Sequence, residues 1–288
     1  MKIDKGCVAW YICYFVVWKK MATDGCGEVM YDEYEAIDKE AFDVYEAYYR
    51  RSNENEMFVS ALDEITSEYN LDFVKSCLAV GPNDGFREIA FFEKCATNAT
   101  KFVAIEIGHD SSEHLKVQLT QRLPDVEGLV IEGDFRSWKG PSDRVDLIMM
   151  FNCLYSNYFK DHGERQSLLR KAHDSWLNPG GFLAVLSAGS WSTKSPGKAG
   201  EIVERLGKSY TKDPIEADIL EAGFIKKHEH EIQHMRDFSN PDEALLLFYQ
   251  SNTNYSVTLD DVRSVMKELY PDGKAIGVHT LAVFQKAV

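Results

Sequence analysis

The sequence predicts an α/β fold in which a parallel sheet is covered by helices on both faces. Short apolar runs alternate with amphipathic segments through the middle of the chain, which is typical of strands connected by helices. The runs are almost continuously apolar, as expected for strands that are buried on both faces. Five strands are predicted, namely SCLAV (76–80), KFVAIEI (101–107), EGLVIEG (127–133), VDLIMMF (145–151) and GFLAVLS (181–187). Helices are predicted between them at 86–95, 112–122 and 165–177.

A helical lead-in precedes the first strand, and a less regular region follows the fifth. Large apolar residues recur at three- and four-residue steps within residues 32–70, where the polar stretch RRSNENE (50–56) separates two helices. NPGG (178–181) predicts a turn that ends a helix and starts the fifth strand. Beyond it, helices are predicted at 216–224, 241–249 and 259–269, and two further strands near 224–233 and 277–287.

Charge and composition narrow the classes of partner. The chain has 288 residues and a formal net charge of −14, so a surface that neutralises nucleic-acid phosphates is not expected. An acidic protein concentrates small cations, including protonated amines, although the same charge can serve only solubility. The six cysteines form no CxxC pair and have no clustered histidine, which favours buried thiols in the reducing cytoplasm.

The first residues of the chain are unusual. Residues 6–18 (GCVAWYICYFVVW) carry no charge, but thirteen residues are too few for an ordinary membrane-spanning helix. The segment is a signal-anchor, a helix that covers the core, or an extension upstream of the working protein. We favour the extension, because Met21 followed by Ala22 is an ordinary start. We therefore expect an extension at 1–20, one domain at 21–288, no stable membrane span, and a cytoplasmic monomer.

The stretch VGPNDGFRE (80–88) has the order strand, glycine turn, helix that is typical of nucleotide-binding loops. Gly81 and Gly85 allow a sharp turn and a close approach of the backbone to a ligand, while Asn83 stands where a middle glycine is usual. By itself this loop is also compatible with an ordinary surface turn. Glu106 ends the second strand and is placed to accept hydrogen bonds from a ribose diol. Together, the loop and the acid predict an adenosine-type cofactor.

The order of several motifs resembles that of class I methyltransferases, which use S-adenosylmethionine (SAM). The runs that carry a closer resemblance, to the histamine N-methyltransferase family, are YYRRSNENEMF, LAVGPNDGFREI, AIEIG, DLIMMFNCLY, AVLSAGSW and VHTLAVF. This resemblance implies a Rossmann-like methyltransferase sheet of seven strands, with a SAM-binding core near 71–187 and substrate-pocket elements near 31–70 and 188–288. The activity it implies is methyl transfer to a small amine, histamine or a related imidazole or biogenic amine.

The resemblance also assigns residues to the cofactor. The family's SAM contacts fall on Gly81, Gly85 and Glu106, and on Phe151 at the end of the fourth strand. Two further matches complete the set: Ser137 in FRSW, and His114 in SSEHL, the latter across a longer EIGHDSSEH loop than the family has. The resemblance implies no metal.

Other matches lie in the family's substrate pocket. Glu54 falls where the family holds the imidazole end of its amine, with a helix cap as the alternative role. Asn152 replaces a glutamine, Tyr155 keeps the first of two tyrosines, and Ser156 replaces the second. The pocket should therefore be larger or more polar than in the family. The alternative for Tyr155 is core packing with a tethered hydroxyl.

His279 stands in the last strand where the family has an asparagine. Histidine titrates and asparagine does not, so His279 is a candidate base as well as a substrate contact; the alternative is a satisfied strand histidine. Phe238 is either an aromatic wall for the amine or a core residue. Because the sulfonium is already activated, the protein mainly aligns the reactants, and a base is optional.

Three other functions stay open on the sequence. The departures at Asn152, Ser156 and His279 allow methylation of a different small molecule at oxygen or nitrogen. The degenerate loop allows a non-catalytic SAM-binding protein. An NAD-dependent oxidoreductase is the most distant alternative, because the loop lacks a tight GxGxxG.

Overall fold

The computed structural model describes residues 51–69, 71–155, 158–189, 198–206, 214–251 and 257–287. These residues form two compact units. The first unit contains 51–54, 198–206, 233–251 and 257–278, and the second contains 55–69, 71–155, 158–189, 214–232 and 279–287. The predicted extension at 1–20, the first lead-in helix and Ser156 lie outside the described residues. The prediction of one domain from residue 21 stays a prediction.

The described strands form one seven-stranded sheet. They are β1 (Ser76–Val80), β2 (Lys101–Glu106), β3 (Glu127–Glu132), β4 (Val145–Phe151), β5 (Leu177–Ala188), β6 (Phe224–Asp237) and β7 (Lys274–Lys286). Their order across the sheet is β3-β2-β1-β4-β5-β7-β6. Strands β1 to β5 pair in parallel, whereas β7 runs antiparallel to β5, so the sheet is mixed. The strand order reverses beside β1 and β4, and in such sheets ligands bind at the carboxyl ends near that point.

Most of the described helices agree with the predicted periodicity, but the helix at 198–205 was not predicted. They are α1 (Glu54–Glu68), α2 (Phe86–Cys95), α3 (His109–Arg122), α4 (His162–Lys171), α5 (Lys198–Arg205), α6 (Ile215–Glu221), α7 (Glu243–Ser251) and α8 (Leu259–Leu269). The predictions for α2 and α8 are confirmed at both ends. Helix α3 begins three residues earlier than predicted, and α4 begins early and passes into a π-helical turn (Ala172–Trp176). No described helix is both long and apolar enough to cross a membrane.

Strand β4 explains why the predicted strands are almost continuously apolar. Leu147, Met149 and Phe151 point into one buried cluster, which α1 and α2 cover. Ile148 and Met150 point into a second cluster on the opposite face. Successive side chains of a strand point to opposite faces, so a strand covered on both sides must be apolar throughout. The central strands β1, β2 and β4 are therefore buried on both faces, as the sequence predicts, whereas β3 is largely exposed.

The NPGG segment (178–181) lies inside β5 rather than before it, which differs from the predicted turn. Leu177 already pairs with Val145, and the next paired residue, Phe182, lies opposite Leu147. The four residues between Leu177 and Phe182 form a bulge, which lies opposite a single residue of β4, Asp146. Asn178 Nδ2 donates to Asp146 Oδ1 at 2.8 Å, which anchors the bulge. The glycines thus bend a strand that has already begun.

The first unit has an aromatic core of its own. The Phe238 ring packs edge-on against Tyr249, with ring centroids 5.6 Å apart, and at a tilt of 44° against Tyr270, with centroids 5.4 Å apart. All three rings are buried. Thr258 and Asp261 form a capping box at the start of α8, which sets where that helix begins. Of the two roles left open for Phe238, the structure supports core packing.

Candidate functional site

The loop between β1 and α2 needs glycine at both ends. Gly81 continues the β1–β2 pairing, because its N–H donates to Ile105 O at 2.9 Å. It has φ +60°, and a Cβ there would lie 3.2 Å from Cys153 Cβ. Gly85 has φ +75°, and a Cβ there would lie 2.1 Å from Leu115 Cδ1 on α3. Both positions combine a left-handed backbone with close packing, which only glycine satisfies.

Asn83 takes the place of the usual middle glycine without disturbing the loop. Its φ is +52°, a left-handed value that asparagine tolerates better than most residues. Its N–H donates to Glu106 Oε2 at 2.7 Å, and its Oδ1 accepts from Ser111 Oγ at 2.7 Å. Asn83 therefore connects the loop to the end of β2 and to the first turn of α3. Sequence reasoning missed Ser111, which no local motif marks.

Glu106 lies at the carboxyl end of β2 with its carboxylate buried and oriented. Besides Asn83, the N–H groups of Ile107 and Gly108 donate to Glu106 Oε1 at 2.8 and 3.0 Å. The residue is 6% exposed. A carboxylate has about four lone-pair positions, so a ribose hydroxyl would share it with these amides. The carboxylate is thus an acceptor held at the edge of the sheet, which fits the predicted role.

Glu88 is a second buried acid beside the loop, and sequence reasoning missed it. It lies in the first turn of α2 and is 3% exposed. Burial raises the pKa of the Glu88 carboxyl well above its ordinary value; the helix backbone and the Arg87 charge oppose this, and the charges of Asp84 and Glu106 add to it. The burial of Glu88 could have been predicted from the sequence, because Glu88, Phe92 and Cys95 recur at helical spacing on the buried face.

Cys153 adjoins the same acids from the end of β4. Burial raises the pKa of the Cys153 thiol, and the charges of Glu88 and Glu106 raise it further. A thiol with a raised pKa stays neutral and is a poor nucleophile. Cys153 therefore packs against Gly81 and closes the floor of the loop, as the prediction of buried thiols expects for this cysteine.

Two other predicted cofactor residues lie on exposed surfaces. Ser137 follows β3, and its Oγ donates to Asp134 O at 3.2 Å. Its neighbour Phe135 is buried instead, with Cε1 3.4 Å from the position of a Cβ on Gly81. His114 is exposed on α3, and its Nε2 lies 3.2 Å from Gln118 Nε2. The roles of Ser137 and His114 stay predictions, and Phe135 is a wall residue that the sequence did not indicate.

Phe151 ends β4 with its side chain in the core. Its ring packs edge-on against Phe58 of α1 and Phe91 of α2, with centroids 5.6 and 5.8 Å apart. The residue is 4% exposed. The ring therefore supports the floor of the site, and a cofactor contact of Phe151 stays a prediction.

Of the predicted substrate residues, Asn152 and Tyr155 follow β4, and His279 lies within β7 opposite the last residue of β5. Asn152 has φ +56°, and its N–H donates to Leu186 O at 2.8 Å. The Tyr155 hydroxyl donates to Asn152 Oδ1 at 2.7 Å and accepts from Ala188 N at 2.7 Å. Ala188 in turn pairs with His279 across β5 and β7, and His279 is buried. Because Oδ1 faces Tyr155, the Asn152 amide turns its Nδ2 donors away from it.

Glu54, the fourth predicted substrate residue, belongs to the first unit and lies beside an arginine and a histidine there. Arg236 Nη2 donates to Glu54 Oε2 at 3.3 Å, and His234 Nε2 lies 3.7 Å from the same oxygen. Ser52 Oγ lies 3.1 Å from His234 Nδ1 on the other side of that ring. The side chains of Glu54, His234 and Arg236 are all buried. The sequence predicted a carboxylate that faces a substrate and gave no sign that a guanidinium already faces it.

Comparisons with known proteins identify the fold. No family model and no curated protein matches the chain. A proposed methyltransferase of Bacillus halodurans matches with a TM-score of 0.54 and 16% identity, over 80% of this chain and 99% of that one. The YcgJ protein of Bacillus subtilis matches with a TM-score of 0.53 and 11% identity, over 80% and 99%. Identities this low show the fold alone: the chain has the Rossmann-like methyltransferase fold with a seven-stranded sheet.

Proposed function

We propose that this chain is a methyltransferase that uses SAM to methylate a small molecule. The observation that carries the proposal is the sign of the charge around the β1–α2 loop. Asp84, Glu88 and Glu106 surround it, and Asp84 and Glu106 both raise the pKa of Glu88. SAM carries a sulfonium cation, which such a site attracts.

The same acids disfavour the NAD alternative. In dinucleotide-binding folds the anionic pyrophosphate lies at the N-terminus of the helix that follows the first strand. Here Asp84 Oδ1 already accepts from the first N–H of that helix, Phe86 N, at 3.1 Å. Glu88 adds a buried carboxyl in the first turn. A pyrophosphate would therefore meet two acids where it needs amide donors.

The residues of the chain supply binding and alignment. Gly81 lets the backbone approach the cofactor closely, and Glu106 accepts from its ribose. When bound, SAM would supply a methyl carbon that is already activated for transfer to the nucleophile. Phe135 and Phe151 help to exclude water from the floor of the site. In this proposal His279 takes the proton that the nucleophile releases, when a base is needed.

A small amine, histamine or a relative, is the finer proposal for the substrate. Its support is the resemblance at Glu54 and the acidic net charge of −14. In this arrangement the amine or imidazole would donate to Glu54 alongside Arg236. The guanidinium weakens the attraction of Glu54 for a cation, so a neutral ring N–H suits this position better than an ammonium.

A second candidate, methylation at oxygen, is favoured by the Asn152 amide. The Tyr155 hydroxyl faces Oδ1, so the amide offers N–H donors to a substrate. A neutral amine has one lone pair and cannot both accept from Asn152 and attack the methyl carbon. An oxygen nucleophile has a second lone pair and can do both. Asn152 therefore suits a hydroxyl or phenol as the reacting group.

The proposal is tested by measuring SAM binding by calorimetry and methyl transfer from labelled SAM. Substrates are histamine, phenethylamine and tyrosol, which separate imidazole, amine and oxygen acceptors. Glu106→Gln should weaken SAM binding about tenfold or more, because the ribose loses a charged acceptor. Glu132→Gln is the matched control, since Glu132 pairs with Glu106 in the sheet but is exposed on β3.

The outcomes separate the alternatives. Binding of SAM that Glu106→Gln weakens, with methyl transfer to any acceptor, supports the enzyme. Binding without transfer to a broad panel of amines and hydroxyl compounds points to the non-catalytic alternative. A folded protein that binds no SAM at millimolar concentration contradicts the proposal.

A further inference from the structure

We propose that Glu106 binds the cofactor through one hydroxyl of its ribose and leaves the second hydroxyl to other contacts. This inference rests on the proposed function, because it assumes that an adenosyl cofactor occupies the β1–α2 loop. What it adds is the number of ribose hydroxyls that the acid accepts. The sequence predicts a contact with the whole diol, whereas the hydrogen bonds around the carboxylate leave room for half of it.

The Oε1 atom of Glu106 faces the two residues that follow it in the chain. The N–H groups of Ile107 and Gly108 donate to this oxygen at 2.8 and 3.0 Å. A carboxylate oxygen has about two lone-pair positions, so these two donors fill it. Gly108 also begins α3, because its carbonyl accepts from Ser112 N at 3.0 Å. The start of α3 therefore holds the amides against Oε1.

The Oε2 atom of Glu106 faces the β1–α2 loop. Asn83 N donates to it at 2.7 Å. The left-handed backbone of Asn83 and the bond from Ser111 Oγ to its Oδ1, at 2.7 Å, hold this donor in place. Three of the about four lone-pair positions of the carboxylate thus accept from backbone amides. At most one position is available to a ligand, and it is on the oxygen beside the loop.

A second hydroxyl would have to displace one of these amides. Glu106 is 6% exposed, so the displaced N–H would lose its partner in a place that water hardly reaches. An unsatisfied buried donor costs about as much as a hydrogen bond to a charged group contributes. The exchange therefore brings little gain, and the carboxylate keeps its amides.

The two ribose hydroxyls should consequently contribute unequally to affinity. Removal of the hydroxyl that donates to Glu106 removes a charge-assisted hydrogen bond. Removal of the other hydroxyl leaves the bonds of this carboxylate unchanged. SAM and its product, S-adenosylhomocysteine, carry the same ribose, so the more stable product reports on the contact without a methyl acceptor.

Calorimetry of the full chain with S-adenosylhomocysteine and its 2′-deoxy and 3′-deoxy analogues tests the inference. Each ligand is titrated into the wild-type protein and into Glu106→Gln, which gives one double-mutant cycle for each hydroxyl. For one hydroxyl, the loss of affinity on its removal should be about tenfold or more larger in wild type than in Glu106→Gln. For the other hydroxyl, the two losses should agree within about twofold. Glu132→Gln, which changes an exposed acid at the end of β3, is the matched control and should give the wild-type losses.

Several results would overturn the inference. Coupling of about tenfold between Glu106 and both hydroxyls would mean that the acid holds the whole diol. No coupling with either hydroxyl would mean that the acid does not contact the ribose. If Glu106→Gln does not fold, the wild-type titrations decide, since unequal losses with the two analogues support the inference and equal losses contradict it. A folded protein that binds neither SAM nor S-adenosylhomocysteine would instead contradict the proposed function, so the two failures are distinguishable.

Discussion

Individual atoms decide the shape of the β1–α2 loop. The closest approach is at Gly85, where a Cβ would lie 2.1 Å from Leu115 Cδ1 and the backbone has φ +75°. Asn83 shares the left-handed conformation and uses it to donate to Glu106 at 2.7 Å. The loop therefore depends on Gly85 because it has no side chain, and on Asn83 because its polar groups form hydrogen bonds. A change at either should alter the loop before it alters the sheet.

Gly85→Ala is predicted to destabilise the protein by about 2 to 5 kcal/mol. A non-glycine residue in the left-handed region costs about 1 to 2 kcal/mol, and overpacking against Leu115 costs about 1 to 3 kcal/mol. Gly163→Ala is the control, because a Cβ there would meet only the Asp161 side chain, at 3.2 Å. Urea unfolding measures both variants. Equal free energies of unfolding for the two would contradict both the backbone cost and the packing cost at Gly85.

Elements with a regular apolar pattern were the most predictable from sequence. Strands β1 and β4 and helices α2 and α8 begin and end where the apolar pattern does. The start of β5 was wrong, because a glycine-rich bulge reads as a turn although Leu177 already pairs with Val145. The π-helical turn was also missed, since it continues the apolar pattern of α4. Local pattern thus indicates that an element exists, whereas pairing decides where it begins.

The contact between α4 and α6 offers a prediction at the scale of elements. Arg165 Nε donates to Asp218 Oδ2 at 2.6 Å, and both side chains are buried. Arg170 and Glu221 join the same two helices at 3.3 Å, but both are more than half exposed. Arg165→Met should cost about 3 to 5 kcal/mol, because Asp218 is left charged and buried. Arg170→Met should cost at most about 1 kcal/mol.

Unfolding free energies from denaturant titration distinguish these two ion pairs. Arg165 also donates to Leu154 O at 2.9 Å, so its loss should loosen the segment after β4 that carries Asn152 and Tyr155. A cost for Arg165→Met no larger than that for Arg170→Met would contradict the argument from burial. A double change of Arg165→Met with Asp218→Leu should recover part of the loss, since no buried charge remains.

At the scale of the molecule, the sequence predicted those site residues that lie at or just after the end of a strand. Gly81, Glu106 and Asn152 each end a strand of the sheet or follow one, and the ends of neighbouring parallel strands converge. Arg236 follows Glu54 by 182 residues in the chain, so no local sequence pattern predicts that the two side chains meet. Glu88 shares the buried helix face of Phe92 and Cys95, but its charged neighbour Glu106 comes from a different element of the chain. The topology was therefore predictable from the sequence, whereas the charged neighbours of the site residues became known only from the structure.

Stabilisation by ligand tests the whole molecule at once. A ligand that binds only the folded state at a hundred times its Kd stabilises by about 2.7 kcal/mol. For a domain of ordinary size this raises the melting temperature by about 5 to 10 °C. SAM should produce such a shift, and NAD at the same concentration should not, because its pyrophosphate would meet Asp84 and Glu88 at the start of α2. Glu106→Gln should reduce the SAM shift at fixed concentration. A larger shift with NAD than with SAM would reverse the assignment of the loop, since both ligands carry adenosine and differ in the charge they bring to it.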